Sequence, residues 1–375
     1  MNKTIKAALV VDWLTEGYGG GERVIKAVHD MYPDAPIYTS QYRPKRTTWL
    51  GNADVKTGWL NILPVWSRKF TPFLRQWYFS CLDLAEYDLV ISITGAEAKA
   101  VKTRESALHI SYMHAPTQYY WTLYDDYIEN PGFGWLNPLA RFGLKLLIGP
   151  LRRADYKAAQ RPNVIVTIST YEQAEIKKYY KRDSLLVSPN VDVKAIQSAI
   201  ADKNVQREGY IIYGRQVSWK RMDLAVLAAI QTGEKLTVIG DGPEHQRLVN
   251  LASGNDTITF LPSYNGIAEI VQHIRASKAF IFPSLEPFGI APVEALAAGT
   301  PVIALKKGGS LDFIHEGENG IFFDEQTVAS LVGAIGRFNL HTFDEAIIRN
   351  SAKDFSEEEF KKRLQVVIDN GIVRE

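Results

Sequence analysis

At 375 residues the chain exceeds one typical core, and about 150 residues per domain predicts two domains. A composition of 46% hydrophobic and 23% charged residues excludes a disordered or fibrous protein. A net charge of +1 excludes a polycation that binds nucleic acid in bulk.

The apolar run Ala7–Val11 is too short for a secretory core and reads as part of a first buried strand, residues 5–11. Further short apolar runs follow at 88–93, 108–113, 164–168, 210–213, 236–239, 257–261, 279–282, 301–305 and 320–323. Such runs suit strands covered on both faces of a parallel sheet. Helical patterns lie between them, for example 22–31 and 222–230. Strand–helix alternation over the whole length predicts an α/β, doubly wound architecture. The turn-rich stretch Ser188-Pro189-Asn190-Val191-Asp192 predicts the seam, giving domains 1–188 and 189–355. A tail helix over 356–375, capped by Ser356 with Glu359 three residues on, follows another helix without an intervening strand. It is therefore free to pack away from its own sheet. Residues 1–186 hold 24 Lys and Arg against 18 Asp and Glu, while residues 187–375 hold 19 against 24. The basic half is the candidate for an anionic partner. No run reaches the roughly 18 apolar residues of a membrane-crossing helix, and the lone Cys81 fits a reducing, cytoplasmic compartment.

Several motifs fall at strand ends. Gly17-Tyr18-Gly19-Gly20-Gly21-Glu22-Arg23 follows the first strand but fails as a dinucleotide fingerprint, because Glu22 stands where Gly or Ala is required. It reads either as a glycine loop facing phosphate or acceptor, or as a tight turn. His114 ends the strand 108–113 and is a candidate for a crevice, although a lone histidine is more often structural. Residues 139–161 carry Arg141, Lys145, Arg152, Arg153, Lys157 and Arg161 against Asp155, interleaved with Leu144, Leu146, Leu147, Ile148 and Leu151. With Trp59, Trp66, Phe70 and Trp77, this segment reads either as a face for an anionic membrane or as core packing.

In the second half, Tyr213-Gly214-Arg215-Gln216-Val217-Ser218-Trp219-Lys220 puts Arg215 and Lys220 at the carboxyl edge of the sheet, where open α/β folds bind ligands. Two cations so placed clamp a diphosphate, and at a helix start they oppose the helix dipole unless an anion is present. Gly240-Asp241-Gly242-Pro243 shapes either a nucleotide pocket or a plain turn. From Pro283 to Gly299 a strand ends, Glu286 sits in a loop, and a helix opens at Ile290 with Pro292 in its first turn. The amides of Gly289, Ile290 and Ala291 then form an anion site, and Glu294 one turn inside suits a diol such as ribose. Gly308-Gly309-Ser310 offers further amides before a short helix. No H-x-x-x-H, C-x-x-C or D-x-D spacing is present, so no metal site is readable and no cofactor is expected.

Taken together, Gly214-Arg215…Lys220, Gly240-Asp241-Gly242-Pro243, Glu286-x7-Glu294 with Phe288-Gly289, and Ala295-Leu296-Ala297…Gly299-x-Pro301 strongly resemble glycosyltransferase family 4. The likeness is strong over about 205–325 and weaker but ordered over 1–190. The stretch from His114-Ala115-Pro116 to Asp126-Tyr127 looks like a subgroup of bacterial surface-polysaccharide mannosyltransferases. Asp312 departs from the family, which commonly has Glu there. The resemblance implies a retaining, metal-independent enzyme of GT-B fold, with two Rossmann-like domains facing a central cleft and the C-terminal helix returning to the first. It implies Arg215 and Lys220 on the donor diphosphate, and Glu286 with the backbone of Phe288, Gly289 and Ile290 on the donor sugar and phosphates. It further implies Glu294 on the ribose, Gly240 and Gly242 shaping the donor pocket, His114 at the reaction centre, and Gly20 and Gly21 beside donor and acceptor.

The donor implied is a nucleoside diphosphate sugar, with GDP-mannose favoured by the subgroup likeness and UDP-hexoses still open. The acceptor is a lipid-linked or growing glycan at the inner face of the cell membrane. The alternatives are a nucleotide-sugar epimerase, a phosphorylase, or a non-catalytic sugar-nucleotide-binding protein. A two-carboxylate hydrolase fits less well, because Glu286 and Glu294 turn toward a phosphate site.

Overall fold

The computed structural model describes residues 5–69, 71–129, 134, 137–200, 205–264 and 266–373. The chain divides into two compact units, residues 1–189 with 361–375, and residues 190–360.

The sheet of the first unit contains β1 (Ala7–Val11), β2 (Ile37–Thr39), β3 (Val55–Thr57), β4 (Leu89–Thr94), β5 (Leu108–Met113), β6 (Val164–Thr167) and β7 (Leu185–Leu186). Their order is β3-β2-β1-β4-β5-β6-β7, parallel throughout. Every residue of β1, β4 and β5 is buried, which explains why they read as unbroken apolar runs. The helices of this unit are α1 (Gly20–Met31), α2 (Pro72–Cys81), α3 (Tyr124–Glu129), α4 (Asn137–Ala158) and α5 (Thr170–Tyr180). Phe79 of α2 packs with Val10 and Val90 beneath the sheet.

The second unit has six parallel strands in the order β10-β9-β8-β11-β12-β13. They are β8 (Tyr210–Tyr213), β9 (Leu236–Ile239), β10 (Ile258–Leu261), β11 (Ala279–Phe282), β12 (Val302–Leu305) and β13 (Gly320–Phe323). Its helices are α6 (Val193–Ser198), α7 (Met222–Thr232), α8 (His245–Leu251), α9 (Ile267–Arg275), α10 (Ile290–Ala297), α11 (Val328–Phe338) and α12 (Glu345–Ser351). Ile212, Val238, Ile281, Ile303 and Phe323 form one core with Ala225, Ala228, Leu331 and Ala334 of α7 and α11.

The last helix, α13 (Glu357–Val373), starts in the second unit and belongs to the first from Lys361 onward. There Lys361 lies 3.9 Å from Asp30 of α1, and Gly371 lies tight against Leu108.

In each sheet the strand order reverses once, between β1 and β4 in the first unit and between β8 and β11 in the second. In parallel α/β sheets the carboxyl edge at such a reversal is where ligands are held.

Candidate active site

The second unit gathers most of the singled-out residues at its reversal point. Lys220 ends a short 3-10 turn (Ser218–Lys220) after β8. Its Nζ donates to Glu286 Oε1 at 2.8 Å, and the hydroxyl of Ser284 donates to the same oxygen at 2.8 Å. Glu286 lies in the loop after β11, so the pair bridges the two strands that flank the reversal point. A Cβ on Gly214 would lie 3.6 Å from Lys220 Nζ, which places the ammonium over the start of the β8 loop. Arg215, the next residue, is exposed.

Helix α10 opens from Gly289, whose φ of +113° favours glycine. A Cβ there would sit 2.7 Å from the ring of Phe282. The N-cap residue is this glycine, which has no side chain to cap the first amides. Tyr213, Lys220, Phe282, Ser284, Glu286 and Ala291 line a hollow here. Glu294, buried one turn inside α10, accepts a 2.6 Å hydrogen bond from the hydroxyl of Tyr213, which also lies 3.0 Å from the carbonyl of Ala291. Phe288 turns its side chain away into a cluster with Phe313 and Phe355, leaving its backbone to the loop.

Two expectations change here. The Gly308-Gly309-Ser310 run lies inside a 3-10 turn (Gly308–Asp312) rather than ahead of a helix. The amide of Gly309 is already bonded to the carbonyl of Glu286 at 3.0 Å, and a Cβ at 309 would lie 2.3 Å from Phe288 Cα. The glycine pair thus lets two loops touch and does not supply two open amides. Gly240 and Gly242 likewise lie against the β8 loop. Their Cβ positions fall 2.1 Å from the carbonyl oxygen of Gly214 and 2.3 Å from that of Gln216.

In the first unit, His114 follows β5, and its backbone amide donates to the carbonyl of Thr94 at the end of β4. Its Nε2 lies 3.8 Å from the Cβ position of Gly21. Gly20 and Gly21 are not in a loop; they form the first turn of α1, which starts two residues before the predicted Glu22. Burial pushes the imidazole of His114 down to about 4, so it is neutral at neutral pH. The neighbouring loop after β4 wraps the carboxylate of Asp12. That carboxylate accepts from the hydroxyl of Thr94 at 2.9 Å and from the amides of Gly95, Ala96 and Ala98 at 2.9, 3.0 and 2.7 Å. Buried ion pairs Arg75–Glu97 (2.9 Å) and Lys99–Asp155 (2.7 Å) hold the rest of this edge.

The first unit exposes several large apolar side chains. Trp59, Ile62, Trp66, Phe73 and Trp77 are exposed, as are Leu139, Phe142, Leu146 and Leu147 of α4. Only Leu151 of the leucines picked out in 139–161 is buried, so core packing does not account for that segment. Arg141, Lys145, Arg153 and Lys157 are exposed along the same helix. Phe70 lies outside the described residues. Among the described residues no helix is long and apolar enough to cross a membrane.

Sequence reasoning passes over Tyr213, Ser284, Gln216 and Asp12. The first two stand immediately beside noticed motifs, so their place next to a ligand edge was the available signal. Gln216 lies inside the Arg215 motif without a role read for it, and Asp12, directly after the first strand, carries no signal beyond being polar there.

Both units have the Rossmann-like, parallel-sheet architecture of GT-B glycosyltransferases. The lipopolysaccharide outer core galactosyltransferase WaaB aligns with a TM-score of 0.71 at 16% identity, covering 98% of this chain and 99% of that one. The structure of Anabaena HepE in complex with UDP aligns with a TM-score of 0.68 at 16% identity, covering 97% and 100%. Residues 193–357 match the family model described as glycosyl transferases group 1. A D-inositol 3-phosphate glycosyltransferase of Acidothermus cellulolyticus is 33% identical over 146 residues, covering 34% of this chain. The chain spans about a third (32%) of the length of that curated relative.

Proposed function

We propose that the protein is a retaining glycosyltransferase that moves a hexose from a nucleoside diphosphate sugar to a lipid-linked or glycan acceptor at the membrane surface. The observation that carries this reading is the second unit's reversal point, where Lys220, the uncapped start of α10 and the loop of Glu286 meet.

A nucleoside diphosphate leaves readily once the charge growing on its phosphates is stabilised. Lys220 is held in place by Glu286 before the donor arrives, and Arg215, five residues earlier in the same loop, is exposed. Fixed donors of this kind are each worth about 10²–10³ in rate. Glu286 occupies one of the three donors of Lys220, holding the ammonium in place while two remain for phosphate oxygens. Glu294, fixed by Tyr213, takes the ribose hydroxyls. In the retaining step the bond from C1 to the diphosphate breaks as the acceptor oxygen bonds C1 on the same face. The acceptor's proton passes to the departing phosphate oxygen, so no protein nucleophile is required. His114, kept neutral by burial, presents a hydrogen-bonding imidazole and not a charged acid at the carboxyl edge of the first unit's sheet.

GDP-mannose is the donor favoured by the likeness to mannosyltransferases. UDP-hexoses stand beside it, because HepE holds UDP and WaaB is a galactosyltransferase. The exposed tryptophans and the basic, apolar face of α4 fit peripheral binding to the anionic inner face of the cell membrane.

The test is transfer by the Arg215→Ala/Lys220→Ala double variant. Loss of transfer with an unchanged melting temperature supports the assignment; full activity refutes it. For the membrane component, the protein should sediment with anionic liposomes at low salt, and failure to do so removes that component.

A further inference from the structure

The loops after β8 and β9 are joined into one ledge. The amide of Gly214 donates to Ile239 O (3.0 Å), that of Gln216 to Asp241 O (2.8 Å), and that of Glu244 to Gln216 O (3.1 Å). Gly240 holds φ at +130° with its Cα against the carbonyl of Gly214, so the two backbones are as close as glycine permits. Arg215 stands on this ledge between two residues whose backbones are both bonded down.

The side chain of Gln216 closes the ledge from beneath. It is fully buried, and its Nε2 donates to the carbonyl of Gly240 at 2.9 Å. That bond fixes the amide orientation, so Oε1 faces His245 Nδ1 at 2.8 Å and must accept from it. His245 therefore carries its proton on Nδ1. It opens α8, and its ring meets Phe260 edge-on at 5.9 Å. One amide thus ties three elements together: the β8 loop that bears Arg215, the β9 loop, and the start of α8. Nothing in the hydrophobic pattern calls for a glutamine at a fully buried position. An apolar residue of the same size would fill the space and leave the Gly240 carbonyl without its donor.

We propose that Gln216, anchored by His245, is the positioning residue that holds Arg215 at the distance and angle needed to grip the donor diphosphate. This rests on the reading that Arg215 contacts that diphosphate. Gln216 touches no ligand itself; its effect passes entirely through the arginine.

The experiment is calorimetric titration of the full chain with UDP and with GDP, each nucleotide tested separately. Arg215→Ala should weaken binding of whichever nucleotide binds the unaltered protein by about tenfold or more, and Gln216→Leu should do nearly as much, since misplacement by about 1 Å at such sites costs up to about 100-fold. In the Arg215→Ala/Gln216→Leu double variant the second change should add nothing. His245→Asn keeps a donor where Nδ1 stood and should recover most of what His245→Phe loses. That second pair also carries the test should Gln216→Leu fail to fold.

If Arg215→Ala weakens binding while Gln216→Leu does not, or if the two penalties add, the positioning role is wrong and the diphosphate site stands. Equal binding by His245→Asn and His245→Phe also overturns it. If Arg215→Ala binds as the unaltered protein does, or neither nucleotide binds the unaltered protein, the underlying reading of the site has failed and this inference falls with it.

Discussion

Two cation–glutamate pairs of nearly equal length sit at the carboxyl edges of the two sheets. Arg75–Glu97 in the first unit spans 2.9 Å and Lys220–Glu286 in the second spans 2.8 Å. Their surroundings differ. The side chains of the first pair are 5% and 0% exposed, and those of the second are 22% and 20% exposed. Glu97 also accepts from the hydroxyls of Tyr119 and Tyr120, and the guanidinium of Arg75 lies over the ring of Trp13. Lys220 opens on a hollow with uncapped helix amides nearby. Similar chemistry therefore serves two ends. A charge closed in by partners fixes a loop, whereas a partly exposed charge near a helix start is, under the proposed function, the one that meets an anion.

Removing each cation should separate the two uses. Arg75→Ala leaves the buried Glu97 without its cation, and urea unfolding should show a loss of about 3–5 kcal/mol. Nucleoside diphosphate binding by the protein that remains folded should be unchanged. Lys220→Met should alter stability by no more than about 1 kcal/mol, since half-open pairs contribute little. It should nevertheless weaken diphosphate binding at least tenfold by calorimetry, as expected when a charged donor is removed from a phosphate, at about 1.5–3 kcal/mol. A stability loss for Lys220→Met that matches Arg75→Ala would erase the distinction.

A buried carboxyl elsewhere in the first unit sharpens the contrast through pH. Burial lifts the carboxyl of Glu172, in the first turn of α5, to about 8. A folded value above the unfolded one means stability is greatest below pH 4.5 and falls as pH rises toward about 8. Glu172→Gln should therefore gain on the unaltered protein as pH rises through that window, approaching about 4 kcal/mol near pH 8 by pH-resolved thermal unfolding. The smallest expected effect on stability is at the surface. Trp66→Ser with Trp77→Ser should change unfolding by about 0.5 kcal/mol or less, yet abolish sedimentation with anionic liposomes.

Much of the architecture was legible because parallel strands buried on both faces announce themselves as unbroken apolar runs. Strands β8, β9, β11 and β13 fall within the predicted residues 210–213, 236–239, 279–282 and 320–323. Strands β2, β3 and β7 were not legible. They are two or three residues long, too short to stand out, and Lys56 interrupts β3. The start of α10 could be read from Gly289 and Pro292, because both residues have strong backbone preferences. The start of α1 could not, because Gly20 and Gly21 argue against a helix that tertiary packing nonetheless extends through them. The Gly308–Gly309 pair misled for a related reason: glycine marks close backbone approach as readily as an open anion site, and only the position of Phe288 distinguishes them. Polar contacts between loops distant in sequence, such as Ser284 and Lys220 on Glu286 or Gln216 on His245, have no periodicity to reveal them.

The central claim is that the edge of the second sheet grips a diphosphate through Arg215, Lys220 and the start of α10. Thermal unfolding across a panel of UDP, GDP and ADP tests it most directly. At 100 times its dissociation constant one of these nucleotides should stabilise the unaltered protein by about 2.7 kcal/mol. The Arg215→Ala/Lys220→Ala variant, unfolding at nearly the same temperature without ligand, should gain almost nothing. Equal stabilisation of both proteins by the same nucleotide would contradict the account.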